Sequence, residues 1–152
     1  MKDNYGRFGL MVLTSTIIML ILMYFNTYSL DHVFFSETRF YMALLMGAVM
    51  AIVMLAFMQK MYTNKKVNLG IYLGSAIVIA VSLFLVRSQV TVDDESWMKA
   101  MIPHHSIAIL TSERANIEDP RVRKLADGII KTQRKEIAEM KALIKDLEEN
   151  ED

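Results

Sequence analysis

Residues 40–58 and 69–86 contain no Asp, Glu, Lys, Arg or His, and this narrows the fold more than any other feature of the chain. About 20 apolar residues rising ~1.5 Å each cross a hydrocarbon core roughly 30 Å thick. A third uncharged run, residues 8–28, precedes them. The pattern predicts three transmembrane helices over about 8–28, 40–58 and 69–86. The first run is too long for a signal-peptide core and no small-residue cleavage site follows it, so it reads as retained. Thr14, Ser15 and Thr16 can bond back to helix carbonyls and do not oppose a span. Tyr24, Phe25 and Tyr28 suit an interfacial belt.

The connection at 59–66 carries Lys60, Lys65 and Lys66 and no acid. By the positive-inside rule it is cytoplasmic, together with Lys2 and Arg7. The loop at 29–39, with His32, then lies outside, as does everything after Arg87. All three histidines fall on one side. No charged group sits at depth, which argues against an ion-coupled transporter. Ala43, Gly47 and Ala51 repeat at spacing four, as do Gly70 and Gly74, a pattern that lets helices approach closely. Met42, Met46, Met50, Met54 and Met58 also recur every fourth residue. They read as flexible core filler, with a sulfur ladder for Cu(I) as the alternative.

The chain has 17 basic and 17 acidic side chains. Zero formal charge gives no basic footprint for nucleic acid. From Asp93 onward charge dominates, so a membrane part (1–88) precedes a water-soluble part (93–152). With no cysteine, thiolate metal sites and cysteine nucleophiles are excluded. A soluble part of about 60 residues buries little core by itself, so it needs the membrane part, a second copy, or both.

Within the soluble part, Asp93 or Asp94 can cap a helix, with Asp94 and Glu95 favourable to its dipole. The helical pattern continues through Trp97, Met101, Ile107, Ala108, Ile109 and Ala115. Pro103 inside it predicts a kink or break near Ile102. Glu118-Asp119-Pro120 marks a second helix start, and that helix should run from 120 to about 148. Val122, Leu125, Ile129, Ile137, Met140, Ile144 and Leu147 form its apolar stripe, with Gln133 on the stripe and a solvated face opposite. The expected fold is all-α. Three transmembrane helices lead to an extracytoplasmic helical hairpin, and two hairpins together would bury both stripes as a four-helix bundle.

Chemistry concentrates in Met98-Lys99-Ala100-Met101-Ile102-Pro103-His104-His105. Met98, Met101 and His105 share a helix face, and His104 flanks it. On the facing helix, Met140 and Gln133 lie seven apart, with Glu136 beside them. Thioether and imidazole suit Cu(I) or Ag(I); imidazoles alone also accept Cu(II) or Zn(II). The same residues read equally as packing and hydrogen-bonding groups. Glu-x-x-His, His-Glu-x-x-His and Gly-rich phosphate loops are absent. Ser106 beside His105 is adjacency, not a catalytic pair.

From Trp97 to about Leu147 the chain resembles the domain-of-unknown-function 305 family. The resemblance is carried by Met98-x-x-Met101-Ile102-x-His104-His105, Ala108 and Asp119-Pro120-x-Val122-x-x-Leu125-Ala126. It continues through Ile129-Ile130-x-x-Gln133-x-x-Glu136-Ile137-x-x-Met140. It implies a ferritin-like helical fold and, with the three-span N-terminal part, a membrane-anchored subgroup. It also implies copper binding or tolerance outside the cytoplasm, with Met98, Met101, His104, His105 and Met140 as metal ligands and Gln133 and Glu136 as supporting groups. Ile107 and Thr111 stand where relatives often carry methionine, which argues for one modest site per hairpin or one shared between copies. The expectation is a non-enzymatic, homo-oligomeric protein of a bacterial inner membrane that handles copper, with copper-handling proteins as partners. The competing expectation is a membrane interaction module whose Met and His residues are packing. A redox enzyme on a ferritin-like bundle lacks its carboxylate ligands.

Overall fold

A computed structural model describes residues 3–150, and these form five α-helices, a short 3-10 turn and no strand. Lys2 lies outside the described residues. The chain divides into two compact units. One holds residues up to Met23 together with Thr38–Thr91, and the other holds Tyr24–Glu37 together with the segment from Val92 onward. The loop after the first helix thus groups with the hairpin.

The first unit contains α1 (Asp3–Leu22), α2 (Glu37–Phe57) and α3 (Lys65–Ser88). All three are long and apolar enough to cross a membrane. The first ends at Leu22, six residues before the hydropathy pattern does. Beyond it the Thr27 hydroxyl donates to Tyr24 O at 3.0 Å, a local turn that competes with helix propagation.

Ala43, Gly47 and Ala51 are buried on α2, as their spacing predicts. A methyl group added at Gly47 would collide with Thr16 Oγ1 and lie 3.2 Å from its Cγ2, so α1 and α2 meet closely there. The third-helix pair differs. Nothing lies within 4 Å of a Cβ built on Gly70 or Gly74, so these glycines make no tight contact with another helix of the same chain. Met54 and Met58 pack against a cluster of Phe8, Ala51, Leu55 and Tyr62, which is the filler role expected of them.

The lysine-bearing connection is held in place. Asn64 caps α3 by accepting from the N–H groups of Lys66 and Val67. The Tyr5 hydroxyl donates to Asn68 Oδ1 at 2.8 Å and accepts from Asn64 N–H at 3.1 Å.

The second unit is built on α4 (Asp94–Arg114) and α5 (Pro120–Asn150). Asp93 caps α4, accepting from Ser96 N–H at 2.7 Å, and that contact holds its carboxyl below the usual carboxylate range. Asp119 accepts from Arg121 N–H at 2.8 Å at the start of α5. The helices run antiparallel. Lys99 pairs with Glu148 at 3.1 Å near one end, and Arg134 pairs with Glu113 toward the other.

Pro103 does not break α4, which continues unbroken through it. An interior proline costs about 3 kcal/mol, yet Ile102 and Ile109 on either side of it are fully buried. Each such side chain returns about 1.5–3 kcal/mol. Packing therefore outweighs the local defect.

The apolar stripe of α5 also differs from expectation. Ile137, Met140 and Ile144 are buried against α4, joined by Ala126, whereas Val122, Leu125, Ile129 and Leu147 remain exposed.

Candidate metal centre

Met98, Met101, His104 and His105 occupy the middle of α4. Met98 is buried in one cluster with Ile102, Ile109, Ile137, Met140 and Ile144, and Met101 packs against that cluster from its edge. Met98 and Met140 are therefore core residues packed among isoleucines. Met101 is half-buried, one turn before His105.

His105 is held from both sides. Its Nδ1 lies 3.0 Å from Met101 O, the carbonyl one turn back. Its Nε2 lies 2.9 Å from Glu136 Oε2 on α5. Gln133 Nε2 donates to the same carboxylate oxygen at 3.4 Å. Both ring nitrogens thus face acceptor oxygens. Only Nε2 points away from backbone toward groups that an ion could share, because the Nδ1–H bond to Met101 O fixes the ring's orientation. The structure brings together His105, Gln133 and Glu136, with Met101 adjacent. His104 is exposed, its ring centroid 6.2 Å from that of His105 and inclined by 64°. Among the described residues, no group of three or more His, Asp or Glu side chains stands close enough to hold a metal ion.

A second polar contact lies one residue further along α4. Ser106 is fully buried. Its Oγ accepts from Tyr28 N–H at 2.6 Å and lies 2.9 Å from His32 Nδ1. In the neutral ring, Nδ1 accepts the serine proton when the ring proton sits on Nε2, and donates to Oγ in the other tautomer. Asp31 next to it pairs with Lys141 on α5 at 2.6 Å. The Lys141 ammonium, with help from the Ser29 hydroxyl, pulls the Asp31 carboxyl down to about 2. His32 is lowered from 6.5, chiefly by burial; the Asp31 carboxylate opposes that shift and the Lys141 ammonium adds to it. Arg134 lies over the Tyr28 ring, 5.6 Å from its centroid. Phe34 packs against the hairpin core.

The loop Tyr24–Glu37 is thus fastened to both helices of the hairpin. Sequence alone gave His32 no partner and left Ser106 without a role. The only advance signal was a serine standing among the apolar positions of α4.

The family described as Domain of unknown function (DUF305) matches residues 85–151. An uncharacterized protein of Acanthamoeba polyphaga mimivirus is 36% identical over 107 residues, covering 69% of this chain and 68% of that protein. No solved structure matches. The family match spans both hairpin helices and every candidate ligand. The chain belongs to the DUF305 family.

Proposed function

We propose that this chain is a membrane-anchored metal-binding protein whose hairpin, outside the cytoplasm, binds copper(I) through imidazole and thioether side chains. The observation that carries the reading is the position of His105. Its Nε2 faces Glu136 and Gln133 across the hairpin, and Met101 sits one turn away. Copper(I) favours this nitrogen and sulfur pairing, whereas Zn(II) would favour the imidazole with the carboxylate. His105 and Met101 fit a soft ion, with exposed His104 within reach of the same turn. Glu136 and Gln133 orient the ring. Met98 and Met140 fill the core, and they add sulfur only if the core opens toward His105. When bound, the ion is a cargo to be held or passed on. The lipid bilayer, further copies of the chain and extracytoplasmic copper-handling proteins are the partners this reading implies. The plasma-membrane topology, N-terminus inside, rests on the lysines at 60, 65 and 66.

One observation favours a second reading, a membrane interaction module without metal. Met98 and Met140 are buried as ordinary core, while large apolar side chains on α5 stay exposed. Metal loading separates the two. The purified full-length protein is incubated with Cu(I), Ag(I) or Zn(II), and bound metal is measured for wild type and for His104→Ala with His105→Ala. Stoichiometric Cu(I) or Ag(I) lost in the double variant supports the metal site. No stoichiometric metal in the wild type leaves the interaction module standing.

A further inference from the structure

We propose that α5 pairs antiparallel with the α5 of a second copy of this chain, about a two-fold axis beside Glu136. The proposal rests on the reading that the hairpin self-associates, and it gives that association a surface and a register.

The hairpin uses only one of two apolar seams on α5. Ala126, Ile137, Met140 and Ile144 are buried, with Ile130 packed beside them. About one residue round the helix, a second seam remains exposed. Leu125 is 65% exposed, Leu143 48%, Leu147 37% and Ile129 36%. Large side chains in such a row on an otherwise charged helix mark an interaction surface.

This seam is a palindrome. Ile129 and Leu143 each lie seven residues from Glu136, and Leu125 and Leu147 each lie eleven away. An antiparallel copy centred on Glu136 therefore sets Ile129 beside the partner's Leu143, and Leu125 beside the partner's Leu147. The chain offers the second copy a surface complementary to itself, as an isologous interface requires.

Charge selects the same orientation. From Pro120 to Lys135 the helix carries six basic residues and one acidic; from Glu136 to Asn150 it carries two basic and five acidic. Antiparallel pairing faces each basic half with the partner's acidic half, whereas parallel pairing faces like with like. Packed helices lie about 8–10 Å apart, comparable to the Debye length of roughly 8 Å at physiological salt. The pattern is therefore felt across the interface. Glu136, on the axis, meets its own counterpart with its carboxylate already held by His105 at 2.9 Å.

The chain has no cysteine, so introduced cysteines report without background. Full-length protein in membranes is oxidised with a metal-free disulfide reagent. The variants are Ile129→Cys, Leu143→Cys, and a co-expressed mixture of the two on differently tagged chains. Lys145→Cys serves as the collisional control, and Leu125→Cys with Leu147→Cys serves as a second pair should either first substitution misfold. The expected result is a mixed 129–143 dimer at least tenfold above either single variant and the control. Cross-linking of Ile129→Cys with itself would mean parallel pairing and overturn the register while self-association stands. A dimeric mass in detergent with no cross-link at either pair would overturn this surface. A monomeric mass with no cross-link would overturn self-association itself.

Discussion

Ser106 Oγ lies 2.9 Å from His32 Nδ1, joining the middle of α4 to a loop 74 residues earlier in the chain. The same oxygen accepts the Tyr28 N–H. One buried hydroxyl therefore satisfies two groups of the Tyr24–Glu37 loop and fixes that loop on the hairpin.

Replacing it should free the loop. Ser106→Ala leaves the Tyr28 N–H without its partner; a fully buried orphaned donor costs about 1–3 kcal/mol, and this part-buried one should cost less. The expected outcome is a lower melting temperature of the hairpin unit and faster proteolysis between residues 24 and 37. Unchanged cleavage would show that Asp31–Lys141 and Phe34 suffice to hold the loop.

The same loop should respond to pH in two stages. His32 is lowered from 6.5, mainly by burial, so the folded form prefers the neutral ring. Its contribution is fully present above about 6.5, the unfolded value. It declines as the pH falls below that and stops changing once the lowered folded value is passed. Asp31 is lowered to about 2 by Lys141 and Ser29. Its contribution persists until the pH falls below 3.8 and is gone once it passes about 2. Hydrogen exchange of residues 24–37 between pH 8 and about 2 should show the first loosening below 6.5. His32→Gln should flatten that step and leave the acid one.

Met140 separates packing from ligation. Met140→Leu keeps volume and apolarity and should cost under about 1.5 kcal/mol. Met140→Ala should cost about 2–5 kcal/mol by opening a cavity beside Ile137 and Ile144. If Met140 sulfur holds copper, Met140→Leu loses metal while melting almost normally. If metal is retained, Met140 leaves the ligand set and Met98, Met101 and the histidines remain. Thermal unfolding and metal titration on the same samples give the answer.

Between α1 and α2, Gly47→Ala should destabilise by about 1–3 kcal/mol, the usual range for overpacking, because the new methyl meets Thr16 Oγ1. Thr16→Ala on the same chain removes that hydroxyl and should restore most of the loss. The double-mutant cycle, read from thermal stability in detergent, should give a coupling well above 0.5 kcal/mol. Additive effects would mean that the two helices do not meet at this pair.

The sequence by itself determined the features that depend on neighbouring residues. Three uncharged runs specify three long helices, and Asp93 and Asp119-Pro120 set the hairpin helix starts where the structure has them. Hydropathy and capping act over a few residues, so they can be read from the order of residues alone. The candidate ligands on α4 and α5 were legible for the same reason, as rows at helical spacing. Tertiary structure decided what each row touches. Successive residues on a helix are turned by about 100°, so a small rotation of α5 against α4 settles whether Ile137 or Leu125 is covered. That rotation is set by the summed packing of both helices. It buried Met98 and Met140 as core, turned His105 toward Glu136 and carried α4 unbroken through Pro103. The same packing gave Ser106 and His32 to each other, a pairing that no local pattern in the chain announces.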